Sequence, residues 1–256
     1  MNNYELFKEL HHQPAPLLLG NAWNVASARI LQENGIAAIG TSSSAIADTL
    51  GYEDGEQIPF DELFFIIEKI ARHTTVPLSA DIERGYSSDP AVVVQHMEQL
   101  HDIGVVGVNL EDSVIDATRE LVPVEAFSRT LYFIKNELAR KNIQMFINAR
   151  TDTFLLDVPN KMNETLTRIT AFTAAGADGI FVPFIHDIAD IRQVTAASSL
   201  PVNVLSMPGL PAFNELTAAG VKRISMGGSV YRAVNKALLQ QLSGITSAQS
   251  FAGIFP

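Results

Sequence analysis

From Leu17 to Gln240 the chain alternates short apolar runs with amphipathic stretches of about 12 to 16 residues, the pattern of repeated βα units. Eight strands are expected, at approximately Leu17–Asn21, Ala37–Thr41, Leu78–Glu83, Gly107–Glu111, Met145–Arg150, Gly179–Pro183, Val202–Leu205 and Arg223–Met226. Eight parallel strands with intervening helices close as a (β/α)8 TIM barrel, an α/β fold for which 256 residues is an ordinary single-domain length. Residues 1–256 are therefore read as one domain, with a C-terminal tail from about residue 243.

Local signals support the alternation. In Ser88-Asp89-Pro90, Asp89 can cap a helix whose first residue is Pro90, and Val93, Met97 and Leu100 then share a face. Phe127, Leu131, Ile134 and Leu138 form a second such stripe. Gly35, Gly104, Gly176 and Gly220 each precede a strand and suit left-handed helix ends.

Composition excludes several functions. Eighteen basic against twenty-eight acidic residues give a net charge of −10, and no basic block exceeds a dipeptide, so nucleic acid is not an expected partner. The first residues lack a signal-peptide pattern and no apolar run approaches a membrane span, so a soluble cytoplasmic protein without membrane contact is expected. There is no cysteine, which removes disulfides, thiolate ligands and a thiol acid or nucleophile.

The chemistry-bearing residues stand where strands stop. Asp81 and Glu83 follow one run, Glu111 and Asp112 the next, and Arg150 and Asp152 a third. In a barrel the carboxyl ends of the strands share a face, and active sites are built there. Unpaired buried carboxylates cost several kcal/mol or become protonated, so acids repeated at one end call for a shared cation. Asp81, Glu83 and Glu111 are hard oxygen donors suited to Mg2+, and Asp54 could join through water. Asp81 and Glu83 face the same way only if extended geometry persists between them, and a pair with Arg84 is the alternative for Glu83. Arg150 suits capture of a carboxylate or enolate oxygen, its alternative being a rim pair with Asp152. Ser42, Ser43 and Ser44 precede a helical segment whose free amides could hold an anion. A divalent cation, an arginine and an amide pocket together stabilise an enolate derived from a 2-oxo acid.

Gly20-Asn-Ala-Trp23, Thr41-Ser-Ser-Ser44 with Gly51-Tyr-Glu-Asp54, Ala80-Asp-Ile-Glu83 with Gly85-Tyr86, Asn109-Leu-Glu-Asp112 and Asn148-Ala-Arg-Thr-Asp152 resemble the isocitrate lyase/phosphoenolpyruvate mutase superfamily over nearly the whole chain. The resemblance implies a barrel binding Mg2+ and an α-oxo carboxylate, as a homodimer or homotetramer exchanging its last helix. It implies Asp81 as the principal metal residue, supported through water by Asp54, Glu83 and Glu111. Arg150 would bind the oxo acid, whose carboxylate the Ser43 and Ser44 amides would hold. The expected catalytic set is Arg150, Glu111 and Asp54, and Ser42, Trp23 and Asn203 complete the substrate contacts. The chain departs from the lyases, which carry a Lys-Lys-Cys-Gly-His type loop where it reads Ser113 to Pro123, the expected lid. It departs from the mutases at Ser113 and Pro183, where they carry lysine and histidine.

The leading expectation is a Mg2+-dependent enzyme acting on a small 2-oxo carboxylate or phosphonate through a metal-bound pyruvate enolate, as a C–C lyase, a decarboxylase or a P–C bond enzyme. Two readings stand beside it. Ser225 to Ser229 could cup a phosphate in a sugar-phosphate aldolase or isomerase, or the barrel could bind oxo acids without turnover.

Overall fold

The computed structural model describes residues 2–255, and its eight parallel strands close into a barrel. The barrel strands begin in chain order with β1 (Leu17–Ala22), β2 (Ile39–Thr41), β3 (Leu78–Asp81) and β4 (Val105–Glu111). An antiparallel hairpin of β5 (Ser113–Ile115) and β6 (Arg119–Leu121) then interrupts the alternation. The barrel resumes with β7 (Phe146–Arg150), β8 (Gly179–Phe181), β9 (Val202–Leu205) and β10 (Arg223–Ser225), which pairs with β1 to close the ring. The helices are α1 (Asn3–Leu10), α2 (Val25–Glu33), α3 (Ser43–Leu50), α4 (Phe60–Ala71), α5 (Pro90–Asp102), α6 (Val124–Arg140), α7 (Lys161–Ala174), α8 (Ile188–Ala197), α9 (Phe213–Ala218) and α10 (Ser229–Ala248).

The helix signals act as read. Asp89 accepts the Ala91 amide at the start of α5, and Val93, Met97 and Leu100 are buried, as are Phe127, Leu131, Ile134 and Leu138 of α6. Gly35, Gly104, Gly176 and Gly220 all hold positive φ. Several strand ends shift by one or two residues, with β2 starting at Ile39, β4 at Val105 and β8 ending at Phe181, and two differences matter more. β3 ends at Asp81, because the chain turns left-handed at Glu83 (φ 50°) instead of staying extended. The expected tail from residue 243 begins as helix, since α10 runs to Ala248, and its final residue, Pro256, lies outside the described residues.

The amino end of the barrel is plugged by α1. Asn2 accepts the Glu5 amide while Glu5 reaches back to the Asn2 amide, which closes the first turn. Phe7 from this helix is fully buried and meets Phe146 edge-on at 5.4 Å between ring centroids. Gly107 makes this possible, because a Cβ there would lie 2.9 Å from the Phe7 ring and 3.1 Å from the Phe146 carbonyl. Among the described residues near the other end of the chain, α10 buries none of its side chains and exposes Val230, Val234, Leu238, Leu239 and Leu242. Among the described residues no helix is long and apolar enough to cross a membrane.

Candidate active site

At the carboxyl ends of the strands lies a cavity of about 320 Å³ lined by Asp54, Asp81, Glu83, Glu111, Arg119 and Arg150, together with Ser42, Ser43 and Ser44. Each acid is held by its own local device. Asp81 ends β3, where its Oδ2 accepts from Ser43 Oγ (2.9 Å) and the Ser43 amide (3.4 Å), and its Oδ1 from Asn109 Nδ2 (3.2 Å). Glu83 is turned inward by the left-handed step, and Tyr86 Oη donates to its Oε1 at 2.9 Å. That turn is stitched to the Asp54 loop by Glu56, whose Oε1 accepts the Arg84 and Tyr86 amides. Arg84 faces Glu56 at 3.9 Å, so the alternative pairing for Glu83 is not made.

Arg150, at the end of β7, is embedded in carboxylates. Its Nε and Nη2 donate to the two oxygens of Asp152 at 2.7 and 3.2 Å, and its Nη1 lies 2.9 Å from Glu111 Oε2. The rim pairing with Asp152 therefore exists together with a cavity-lining position. Asp112 plays a different part: it turns away from the cavity, accepts from Arg168 Nη1 at 2.8 Å, and binds the Asp152 amide. Its carbonyl also accepts the Val122 amide, which anchors the exit of the β5–β6 hairpin.

A second guanidinium enters from this hairpin. Arg119 Nη1 donates to Glu111 Oε1, to Ser113 Oγ at 2.9 Å and to Asp152 Oδ2 at 3.1 Å, and its Nη2 stands 3.7 Å from Asp54. Sequence reasoning missed Arg119 as a site residue. The signal was present, since it is the one basic residue between Ser113 and Pro123 in a segment expected to cover a cluster of acids.

Crowded burial raises the proton affinity of these carboxyls. Glu83 is pushed up to about 8, chiefly by desolvation and then by Glu111, Asp54 and Asp81. Glu111 is pushed up to about 7 by desolvation, against the pull of Arg150. Asp54 is also raised, by burial and by Asp81. Asp152 moves the other way despite its burial, because Arg150, Ser113 and Arg119 all favour its charge.

Among the described residues no three acidic or imidazole groups converge tightly enough to chelate an ion directly. The donor set nevertheless fits a cation that keeps much of its water shell: four carboxylates ring one cavity, and Glu111 Oε2 is buried without an aligned hydrogen bond. The remaining sequence candidates divide. Ser42 caps α3 and lies 3.3 Å from Ser44 Oγ, while both donors of Ser43 are directed at Asp81 rather than at open space. Trp23 packs edge-on against Tyr231 at 5.2 Å, and neither it nor Asn203 lines the cavity; Asn203 is buried and donates to Ser225 Oγ. Two amides that a phosphate cup after β10 would need, those of Met226 and Gly227, are both taken by Asn21 Oδ1 at 2.9 Å.

Over 227 residues the chain is 34% identical to an uncharacterised protein of Mycobacterium tuberculosis, covering 89% of this chain and 83% of that one. It is 29% identical to the oxaloacetate decarboxylase of Marinomonas sp., covering 82% and 74%. The crystal structure of a candidate phosphonomutase from Burkholderia cenocepacia J2315 superposes with a TM-score of 0.89 at 36% identity, covering 94% and 99%. A phosphonopyruvate hydrolase solved with oxalate and Mg2+ shares the fold, with a TM-score of 0.86 at 19% identity, covering 100% and 90%. The phosphoenolpyruvate phosphomutase family model matches residues 7–246, and the chain belongs to this family, within the phosphoenolpyruvate mutase/isocitrate lyase superfamily of lyases and mutases.

Proposed function

We propose that the protein is a Mg2+-dependent enzyme that breaks the bond between C3 of a small 2-oxo acid and its carbon or phosphorus substituent, the bonding electrons staying on the three-carbon fragment as pyruvate enolate, the first product. The observation that carries this reading is the convergence of Asp81, Glu83, Glu111 and Arg150 on one cavity. Asp81 would hold the cation, with Glu83, Glu111 and Asp54 supporting it through water. When bound, the ion supplies Lewis-acid polarisation of the substrate carbonyl and carboxylate.

The chain's own residues do the rest. Arg150 is fixed by Asp152 and Glu111, so its charge is pre-oriented toward an oxygen that becomes negative as the bond breaks. Ser44 and the start of α3 line the place where the substrate carboxylate would lie. Without cysteine or a lid lysine, proton delivery to the enolate carbon falls to a carboxyl group, and Asp54 at the cavity mouth is the one we assign. The hairpin β5–β6 covers the acids and limits water at the reacting carbon.

The oxaloacetate decarboxylase relative and the oxalate complex of a structural neighbour support an oxo-acid ligand. We extend the proposal to assembly: a second copy of the chain covers the exposed apolar stripe of α10 in a homodimer or homotetramer.

The test is calorimetric titration with Mg2+ and then oxalate, followed by pyruvate-release assays on oxaloacetate and phosphonopyruvate. Asp81→Ala should abolish the Mg2+ heat, and unchanged binding would refute the metal assignment. Oxalate binding without turnover of any substrate would favour a barrel that only binds.

A further inference from the structure

One arginine inside the barrel does not line the cavity. Arg223 enters from β10, is fully buried, and reaches across the ring to Asn109 on β4, where its Nη2 donates to Oδ1 at 3.2 Å. Among the described residues its Nε and Nη1 have no hydrogen-bond partner. A buried guanidinium held this loosely is costly, and an apolar side chain of similar volume often serves stability as well or better. The single contact that it makes therefore calls for a reason other than stability.

Asn109 stands in a row that ends at Asp81. On adjacent strands Asp81 pairs in register with Asn109, Asn109 with Asn148, and Asn148 with Gly179. Paired register positions share a face of the sheet. Asn148 Nδ2 accordingly donates to Asn109 Oδ1 at 2.9 Å, and Asn109 Nδ2 donates to Asp81 Oδ1 at 3.2 Å. Gly179 gives the far end of the row its room, since a Cβ there would lie 2.8 Å from Asn148 Oδ1. By shape alone both amides fit equally well reversed, because oxygen and NH2 are nearly the same size. Reversed together, they would aim the Asn109 oxygen at Asp81 Oδ1 and set two acceptors face to face. Arg223 forbids the reversal: a guanidinium donates and never accepts, so only Oδ1 of Asn109 can face it, and Nδ2 is left for the carboxylate. Ser43 Oγ holds the other carboxylate oxygen, Oδ2, at 2.9 Å, so Asp81 is oriented from both sides. Asp81 is also the acid whose charge offsets part of the burial of Arg223.

We propose that Arg223 is a positioning residue for the metal site, fixing the polarity of the Asn148–Asn109–Asp81 row so that Asp81 meets a divalent cation in one orientation. The inference rests on Asp81 as the holder of the cation and extends that site into the barrel interior. A carboxylate oriented in advance has less freedom to lose when the ion arrives, and the groups that orient metal-binding side chains carry part of the affinity.

Calorimetric titration with Mg2+ compares wild type, Arg223→Lys, Arg223→Gln, Asn109→Ala and the Arg223→Gln/Asn109→Ala double variant. Arg223→Gln should bind Mg2+ about tenfold more weakly, because glutamine is polar but its oxygen accepts the reversed amide. Arg223→Lys, which only donates, should stay within about threefold of wild type. In the Asn109→Ala background, Arg223→Gln should change the affinity by less than about twofold, since the link it acts through is already gone. In the metal-free proteins, exchange of the Asn109 side-chain amide protons, followed by NMR, should quicken by about tenfold in Arg223→Gln and hold near the wild-type rate in Arg223→Lys. Wild-type Mg2+ affinity in Arg223→Gln overturns the proposal. So do additive losses in the double variant, the mark of a charge acting through space, and equal losses for the lysine and glutamine variants, the mark of packing alone. A wild type that gives no Mg2+ heat removes the metal reading and this proposal with it, an outcome distinct from a normal Mg2+ site that ignores Arg223.

Discussion

Each end of the barrel buries an arginine, and the two are treated oppositely. At the carboxyl end Arg150 touches Glu111 and Asp152, so its charge is balanced within contact distance and its guanidinium holds its proton more tightly than usual. Toward the amino end Arg223 crosses from β10 to β4, the strand opposite it in the ring, and meets only the amide oxygen of Asn109, at 3.2 Å. Among the described residues its Nε and Nη1 have no hydrogen-bond partner, and burial lowers its affinity for the proton to about 9. The floor around it is aromatic, with Phe7 5.9 Å away and His11 stacked on Phe146 at 4.6 Å. The densely packed barrel body thus holds an arginine with no carboxylate in contact, while paired charges are gathered at the end where the chain turns left-handed at Glu83 and Tyr86. Charge balance at the carboxyl end therefore reflects a site, because stability alone does not demand it.

The sharpest break would come from Arg150→Met. It leaves Glu111 and Asp152 buried with less counter-charge and should cost about 3 to 5 kcal/mol in urea unfolding, with turnover falling by about 100-fold or more. Arg223→Met should change unfolding free energy by no more than about 1 kcal/mol, or raise stability, since it removes a buried charge that has no carboxylate in contact. A loss as large as that of Arg150→Met would erase the contrast.

The pH dependence of stability should separate the ends in sign. His11 is neutral when folded, its proton affinity lowered from 6.5 to about 3 mainly by burial, so its contribution is present above pH 6.5 and lost as pH falls toward 3. His11→Phe should flatten that acid limb. Glu83 has its folded value raised from 4.5 to about 8, so metal-free stability should decline as pH rises through that window, and Glu83→Gln should remove the decline. Parallel slopes for the two variants would contradict the assignment.

The barrel was readable because its punctuation is local. A glycine just after a helix's C-cap residue and an aspartate just before Pro90 act through neighbours in the chain, so strand order and helix faces follow from spacing. Asp81, Glu111 and Arg150 were readable for the same reason, each closing an apolar run. Glu83 reached the cavity by a different route from extended geometry, through a turn held by Glu56 from another loop. Arg119 depended on a hairpin folding back over the barrel mouth, a tertiary event with no periodic signature. Arg223 and Asn203 were opaque because strands buried on both faces do not reveal which residues point down the barrel axis.

Helix α10 ties the active site to the outer surface of the barrel. It opens at Gly228 and Ser229 on the cavity wall, places Arg232 there as well, and then runs for five turns without burying a side chain. If a second copy covers its apolar stripe, the helix becomes a concentration gauge whose first turn is part of the active site. Specific activity would then fall on dilution, and would do so before the barrel itself unfolds.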